Sequence, residues 1–425
     1  MDGNYLRRIC DQLLKDKLDA KGAVLIKGAK WCGKTTTAAT FAKSVIYIED
    51  PAKKKQYLQM ADMNPSQLLQ GEVPRLIDEW QLAPKLWDAV RFEVDKRDGF
   101  GQFILTGSAV PPDVSEISHT GIGRITSLLM RPMTLFESGD SDGSVSLRAL
   151  FSKENEIMGE SGHGLNDITF LICRGGWPKG IGKSRKVALA QAPDYYEGLV
   201  ESDISRVDDV ERNSERSRRV LRAYARSVSS EATITSILND VRTDENDKFS
   251  ETTLRSYLSA FKKLFVIEDT PAWNPNLRSK TAIRSSDTRY FVDPSIATAA
   301  LGIGPDDLVN DLSTAGLLFE NLCVRDLRVY SESIGGRVYH YRDKSNLECD
   351  AVVHLNNGRY GLIEIKLGGD KLIEEGAKNL LKLRERIDFE KMTEPAFMMV
   401  LCGIAPFAYL RSDGVMVVPI GCLRN

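Results

Sequence analysis

The stretch Gly28-Ala-Lys-Trp-Cys-Gly-Lys-Thr35 sets two glycines around four residues and ends in Lys-Thr, a spacing suited to holding phosphate. Gly28 and Gly33 permit backbone conformations closed to other residues, so the amide N–H groups of Ala29, Lys30, Trp31 and Cys32 can turn inward around an anion. Lys34 adds a point charge. The Thr35 hydroxyl suits a Mg2+ ion that travels with the phosphates, and the N–H groups of Thr35 and Thr36 open a helix whose positive end faces the same place. The bland alternative is a glycine-bearing turn, but the apolar run Ala23–Ile26 before the stretch and the helix-forming Thr36–Lys43 after it supply the setting that nucleotide binding requires.

A second chemical feature follows about one strand-helix-strand unit downstream. Pro74-Arg-Leu-Ile-Asp-Glu79 is an apolar strand closing on two carboxylates, which predicts Asp78 as a Mg2+ holder and Glu79 as the group that polarises the attacking water. The next apolar strand ends in Thr106-Gly-Ser108, and a hydroxyl there, that of Ser108 included, is expected beside the acidic pair; a strand-ending turn is the alternative for either residue. Gly121-Ile-Gly-Arg124 and Arg131 offer a candidate arginine finger, with Arg124 preferred, which implies a homo-oligomer in which one copy reaches the next copy's phosphate.

The third feature lies near the other end of the chain. Leu347-Glu-Cys-Asp-Ala-Val-Val-His354 and Tyr360-Gly-Leu-Ile-Glu-Ile-Lys366 read as strands joined by the turn Asn356-Asn-Gly358, and the period of two puts Glu364 and Lys366 on one face, with Asp350 beginning the partner strand. Asp350 and Glu364, helped by Glu320 from a preceding helix, would hold Mg2+, and Lys366 would orient a water or stabilise charge on a phosphate under attack. A solvated hairpin with charged positions is the structural alternative.

With these residues in view, the chain resembles prokaryotic ATPases of the AAA superfamily fused to a C-terminal domain of unknown function. The carriers are the phosphate loop, Leu76-Ile-Asp-Glu79, Ile104-Leu-Thr-Gly-Ser108, Gly123-Arg124 with Arg131-Pro-Met-Thr-Leu-Phe-Glu137, and Gly175-Gly-Trp-Pro178, where Trp177 replaces a phenylalanine that the family often has. The resemblance implies an AAA-like αβα core in the first third. The last domain resembles PD-(D/E)XK nucleases, with Glu320 matching the helical acid that those enzymes often add.

The elements that must position these groups suggest an α/β multidomain chain. Residues 1–138 are expected to form the P-loop core, 139–214 a linker with lid helices, 215–293 a winged helix and 294–425 the nuclease-like α/β domain. The stretch Gly139–Asn166, rich in Ser, Gly and Asp, is expected to be a loose connection. In the middle region, Val220, Leu221, Tyr224, Ala225 and Val228 form one apolar stripe, and Ser250 caps a helix with Leu254, Tyr257, Leu258 and Phe261 on one face and Thr252, Arg255, Ser259, Lys262 and Lys263 exposed. Phe265–Glu268 and Arg289–Val292 read as wing strands, so DNA is the expected partner.

Composition sets the outer bounds. At 425 residues the chain exceeds one growing core. Its net charge of −2 gives no general attraction to nucleic acid or anionic membrane, so such a partner needs a local basic face. Seven scattered cysteines without Cys-x-x-Cys spacing argue against a disulfide scaffold or zinc site and fit a reducing cytoplasm. The N-terminus lacks the apolar core of a signal peptide, and the longest apolar run, Ala396–Leu410, is too short to span a bilayer. Together these features predict an ATP- and Mg2+-using hydrolase coupled to a nuclease-like domain acting on DNA; the alternative is a nucleotide-switched scaffold whose C-terminal domain recognises a protein and cuts nothing.

Overall fold

The computed structural model describes residues 5–107, 121–152, 157–208, 210–242, 248–274 and 286–425. These divide into two compact units. The first comprises Met1–Pro132, Gly198–Ser214 and Ser259–Val266, and the second Met133–Glu197, Glu215–Leu258 and Ile267–Asn425.

In the first unit, β1 (Ala23–Lys27), β2 (Ser44–Tyr47), β3 (Arg75–Asp78), β4 (Phe103–Gly107) and β5 (Ile125–Leu129) form a five-stranded sheet in the order β2-β3-β4-β1-β5, every pair parallel. Near-continuous apolar strands such as Phe103-Ile-Leu105 suit a sheet covered on both faces. Alternation along β1 divides its side chains between two cores. Val24 and Ile26 join Leu14, Leu18 and Ala38 on one side, while Ala23 joins Ile77, Leu86, Val90 and Phe103 on the other. The covering helices include Cys10–Ala20 and Lys34–Phe41 with the first cluster and Lys54–Met63 and Lys85–Arg97 with the second. This is the expected αβα core.

The second unit holds β6 (Val145–Ser146), β7 (Gly159–Glu160), β8 (Gly336–Arg342), β9 (Glu348–Leu355), β10 (Tyr360–Gly368), β11 (Phe397–Ile404), β12 (Phe407–Leu410), β13 (Met416–Pro419) and β14 (Leu423–Arg424). Seven of these make a mixed sheet in the order β7-β12-β13-β11-β10-β9-β8, and β14 pairs with β6. The stretch expected to be a loose connection therefore contributes two short strands and the helix Leu147–Ser152. Its Ser and Asp side chains serve local bonds, as when Ser141 Oγ donates to the Leu423 carbonyl at 2.7 Å. Helix Asp370–Arg386 lays Ile373, Ala377, Leu380 and Leu383 on Val352, Leu362 and Val400.

Helices Ser214–Arg226, Ile234–Val241 and Glu251–Lys263 stand where the apolar stripes put them. Ser250 Oγ accepts the Thr253 N–H at 3.1 Å, as a cap should. The two extended segments that follow are joined by isolated antiparallel bridges, Ile267 to Phe291 and Thr270 to Thr288, rather than by longer strands.

Two sequence motifs meet at a buried node in the second unit. Arg325 donates to Asp293 at 2.9 Å and to Asp326 at 2.8 Å, all three side chains being out of solvent. Asp326 accepts the Leu135 N–H at 2.9 Å and Asp293 the Gly176 N–H at 2.9 Å. Trp177 Nε1 donates to Ser295 Oγ at 2.9 Å, and the ring stacks on Tyr195. The Gly-Gly-Trp-Pro and Met-Thr-Leu-Phe-Glu segments thus work as anchors. Gly176 must be glycine because a Cβ there would meet the Met133 carbonyl oxygen at 2.1 Å.

Candidate functional site

The phosphate loop follows β1 and turns into helix Lys34–Phe41. Gly28 and Gly33 have φ of 153° and 103°, and a Cβ on Gly28 would sit 2.0 Å from the Met130 carbonyl oxygen, so both positions require glycine. Lys34 is buried and folds onto its own loop, with Nζ donating to the carbonyls of Gly28 at 3.0 Å and Ala29 at 2.8 Å. The Cys32 thiol is turned away from solvent toward the Met130 carbonyl, 3.4 Å off. Trp31 has a positive φ and is 48% exposed, Thr36 is also exposed in the first helical turn, and Lys30 Nζ meets Asp203 Oδ1 at 2.5 Å. Asp203 closes the π-helical turn Leu199–Asp203, a segment distant in sequence but part of the same unit.

Beside the loop, Asp78 Oδ1 accepts from Thr35 Oγ1 at 2.7 Å and from Thr106 Oγ1 at 2.5 Å. The hydroxyl expected near the acidic pair is thus present in Thr106, but it orients the carboxylate; Ser108 lies outside the described residues. Glu79 adopts a left-handed conformation, φ 55°, and accepts from the Gln81 side-chain amide. Burial pushes its carboxyl above the ordinary range, against the pull of Gln81 and Lys34. Thr35 and Asp78 are hard oxygen donors already within hydrogen-bond distance, an arrangement that fits a Mg2+ ion carried by phosphates.

The segment before the first helix adds residues that the motifs did not single out. Tyr5 Oη lies 3.0 Å from Thr37 Oγ1, while Arg8 donates to the carbonyls of Cys32 and Arg131, both at 2.8 Å. The sequence signal for this segment is its apolar residues at helical spacing from Leu6 to Leu18, a pattern that marks an amphipathic helix but singles out neither Tyr5 nor Arg8.

Arg124 does not reach its own phosphate loop. It precedes β5, whose first residue Ile125 pairs with Ala23 at the start of β1, whereas the loop follows Lys27 at the other end of the sheet, about 13 Å away along the strand. Its guanidinium is exposed and paired with Asp95 at 2.8 Å. Arg131 stands at the loop end but is buried.

In the second unit, the antiparallel ladder of β9 and β10 runs from Tyr360↔His354 to Ile363↔Ala351 and stops one pair before Glu364 and Asp350. Where it stops, Asp350 Oδ2 accepts the Ile365 N–H at 2.7 Å and lies 3.2 Å from Lys366 Nζ. Lys366 Nζ is also 2.6 Å from Glu364 Oε2. The period of two therefore delivers the expected trio. Glu364 is fully buried, and its Oε1 has no hydrogen-bond partner among the described residues. Burial, reinforced by Asp350, pushes its carboxyl up to about 8, while the two carboxylates raise Lys366 despite burial. Helix Asp370–Arg386 covers the pair closely: a Cβ on Gly376 would stand 3.3 Å from the Glu364 Cβ.

Glu320, in helix Leu312–Ser333, accepts from Tyr290 Oη at 2.5 Å, and burial together with Asp350 holds its carboxyl well above the usual range. Among the described residues, no three His, Cys, Asp or Glu side chains are grouped so as to hold a metal ion. A Mg2+ ion needs only one or two carboxylates when water and substrate phosphate complete its shell, and Asp350 together with Glu364, whose buried Oε1 has no hydrogen-bond partner among the described residues, supplies that number.

On the helix expected to face DNA, two of the basic side chains have acidic partners. Arg255 pairs with Glu251 at 2.7 Å and Lys263 with Asp208 at 3.5 Å. On Ser214–Arg226, Arg218 pairs with Glu197 and Arg226 with Asp240, while Arg216 and Arg219 lie over the Phe249 ring. Among the described residues no helix is long and apolar enough to cross a membrane.

Comparison with known proteins agrees with the first unit and leaves the second open. Residues 165–307 and 315–423 match two families described as domains of unknown function, DUF8612 and DUF4143. Uncharacterized proteins of Mycobacterium bovis and Mycobacterium tuberculosis are each 23% identical over 380 residues, covering 88% of this chain and 77% of theirs. A solved Walker-type ATPase of Pyrococcus abyssi is similar over 68% of this chain and 94% of its own, at 14% identity and a TM-score of 0.41. Residues 20–138 match the family described as AAA domain, so with the phosphate loop, Asp78 and the parallel sheet in place, this part of the chain is an AAA-type ATPase domain.

Proposed function

We propose that the chain is a Mg2+-dependent ATP hydrolase whose turnover controls a nuclease-like site acting on DNA. On the nucleotide side, Gly28 through Thr36 cradle the phosphates, Thr35 and Asp78 hold Mg2+, and Glu79 orients the attacking water. Lys34 leaves the two carbonyls for the phosphates, and Arg124, placed at the opposite end of its own sheet, serves the phosphate of a neighbouring copy in a homo-oligomer. Seven free, buried thiols agree with a reducing cytoplasm.

The observation that carries the second half is the meeting of Asp350, Glu364 and Lys366 where the β9–β10 ladder ends. A Mg2+ ion held there would supply polarisation of the scissile phosphate and of the attacking water. Asp350 and Glu364 hold it, Glu320 supports them, and Lys366 supplies positive charge toward the phosphate oxygens. The three helices and bridged pair act as a winged helix that brings DNA to this PD-(D/E)XK-like site.

Purified full-length protein with ATP and Mg2+ is expected to bind and cut DNA, with cutting lost in Asp350→Ala and Lys366→Ala while ATP turnover persists. Failure to shift or cut single-stranded DNA, duplex DNA and RNA alike sinks the proposal. The neutralised helix faces favour a second reading, a nucleotide-switched scaffold that recognises a protein. That reading gains if Lys34→Ala abolishes the cellular phenotype while Asp350→Ala and Lys366→Ala leave it intact.

A further inference from the structure

The Trp177 anchor runs straight into Lys179-Gly-Ile-Gly-Lys-Ser-Arg-Lys186, a stretch that no motif of the chain claims. The chain as a whole sets 57 basic against 59 acidic residues, yet no Asp or Glu stands anywhere from Ile168 to Pro193. Arg174 falls in that span but is buried and paired with Asp140 at 2.7 Å. Lys179, Lys183, Arg185 and Lys186 are all exposed, and among the described residues none of the four is in an ion pair. Asp194, the next acid, is about 12 Å along the helix from Lys186. Exposed lysines are often no more than a solvated face, but such faces usually carry both signs of charge.

The stretch is a folded loop rather than a loose tail, because both of its ends are fixed. Before it, Trp177 is pinned by Ser295 and Tyr195. After it, helix Arg185–Gly198 buries Ala188, Ala192 and Tyr195. Between them the Gly180 N–H donates to the Trp177 carbonyl at 2.9 Å, and the Ala188 N–H to the Ser184 carbonyl at 2.9 Å. Gly180 sits close to the helix, where a Cβ would stand 3.2 Å from Gln191 Cγ, whereas a Cβ on Gly182 would meet nothing within 4 Å. Arg185 lies over the Phe170 ring at 4.1 Å while remaining exposed. A loop already held in place loses less freedom when it meets a ligand.

We infer that the loop 179–186 is a docking surface for the phosphodiester backbone of DNA, with its four cations as the contacts. The inference rests on the DNA-acting reading given above and adds the place on the second unit where the duplex is held. A duplex carries one negative charge per about 1.7 Å of its axis, so it presents several phosphates to a loop of this size. Three of the four cations are lysines, point charges without a fixed fork, so the contact reads charge rather than sequence. Helix Glu251–Lys263 offers less of this chemistry, since Arg255 and Lys263 carry acidic partners. Ile181, the single large apolar residue within the loop, is half-buried, so the surface lacks the apolar insertion that binding to anionic lipid draws on.

The test is the fluorescence anisotropy of a short labelled DNA duplex with the full-length chain, without Mg2+, between about 50 and 200 mM KCl. Each phosphate contact contributes about 0.9 to the fall of log affinity with log salt. Lys183→Gln/Arg185→Gln/Lys186→Gln should therefore make that slope shallower by roughly 2 to 3 and weaken binding roughly 100- to 500-fold at about 0.1 M salt. Its ATP turnover without DNA and its denaturant midpoint should match the parent's. The charge-matched Lys53→Gln/Lys54→Gln/Lys55→Gln variant should bind DNA as the parent does; equal losses in the two triple variants would mean that net charge matters rather than place, and overturn the inference. If the parent binds DNA with a slope that the loop variant leaves unchanged, the loop is refuted and the DNA reading stands. If the parent binds no DNA, that reading itself fails and takes the inference with it, and binding to phosphatidylserine vesicles in place of DNA overturns the choice of partner. Should the triple variant not fold, Lys183→Gln decides alone: a slope shallower by about 0.9 upholds the inference and an unchanged slope refutes it.

Discussion

Replacing Thr106 by valine tests whether Asp78 is held ready for the metal. Thr106 is fully buried and its hydroxyl is one of two donors to Asp78 Oδ1, the other being Thr35. Valine copies the shape and deletes only the donor. A hydrogen bond to a charged group contributes about 1.5–3 kcal/mol, and each 1.4 kcal/mol is about a factor of ten in an equilibrium constant. If the carboxylate orientation serves Mg2+, that energy should be missing from the Mg2+-dependent part of nucleotide affinity, a loss of roughly 10- to 150-fold. The measurement is the affinity for a fluorescent ATP analogue with and without Mg2+, accompanied by a denaturant midpoint to separate binding from unfolding. Affinity without Mg2+ should stay within about twofold, since Gly28–Gly33 and Lys34 are untouched. An unchanged Mg2+ increment in a folded Thr106→Val protein would refute the reasoning and leave Asp78 as a strand-end carboxylate with no metal role.

Three further outcomes are expected. Glu79→Gln should keep nucleotide binding and lose roughly 100-fold or more in turnover; because burial holds the Glu79 carboxyl above its ordinary range, the acid limb of the parent's pH–rate profile should lie at higher pH than an ordinary glutamate gives, and vanish in the variant. Glu364, raised from 4.5 to about 8, binds more protons folded than unfolded between those values, so its contribution to stability falls as pH rises through that window; Glu364→Gln should flatten the slope in denaturant titrations run across it. Trp177→Phe should cost about 1–3 kcal/mol in unfolding free energy, because Ser295 loses the indole N–H and the ring loses area against Tyr195.

Much of the ATPase core could be read from the chain because its signals are local. Glycine at 28 and 33, an apolar strand ending at Asp78, and an apolar strand through Leu105 each mark one element by residue type alone. The Glu364–Lys366 pair was legible for a similar reason, since a period of two is a property of one strand. Other features depend on partners far apart in sequence. Nothing in β6 or β7, two residues each, has length enough for a period, so Gly139–Asn166 reads as linker although its strands are completed by the last strands of the chain. Basic residues on helix Glu251–Lys263 read as a groove-facing surface until Glu251 and Asp208 are seen to pair with them. Thr106 stands at the strand end where a hydroxyl is expected beside the acidic pair, but no pattern announces that it donates to Asp78 itself.

The Asp293–Arg325–Asp326 node bears on how such chains can be cut and rejoined in inheritance. A crossover placed after Glu137, at the end of the sequence motif, would take Leu135 away with the ATPase domain, so that the N–H bond to Asp326 depends on how the incoming segment seats its backbone. One placed before Met133 would keep every partner of the node together. A hydrogen bond to a charged group contributes about 1.5–3 kcal/mol, a noticeable share of what holds a domain folded. Selection acting on hybrids should therefore favour exchanges of the ATPase module that end ahead of Met133, making Met133–Glu137 an heirloom of the C-terminal partner rather than of the nucleotide site it follows.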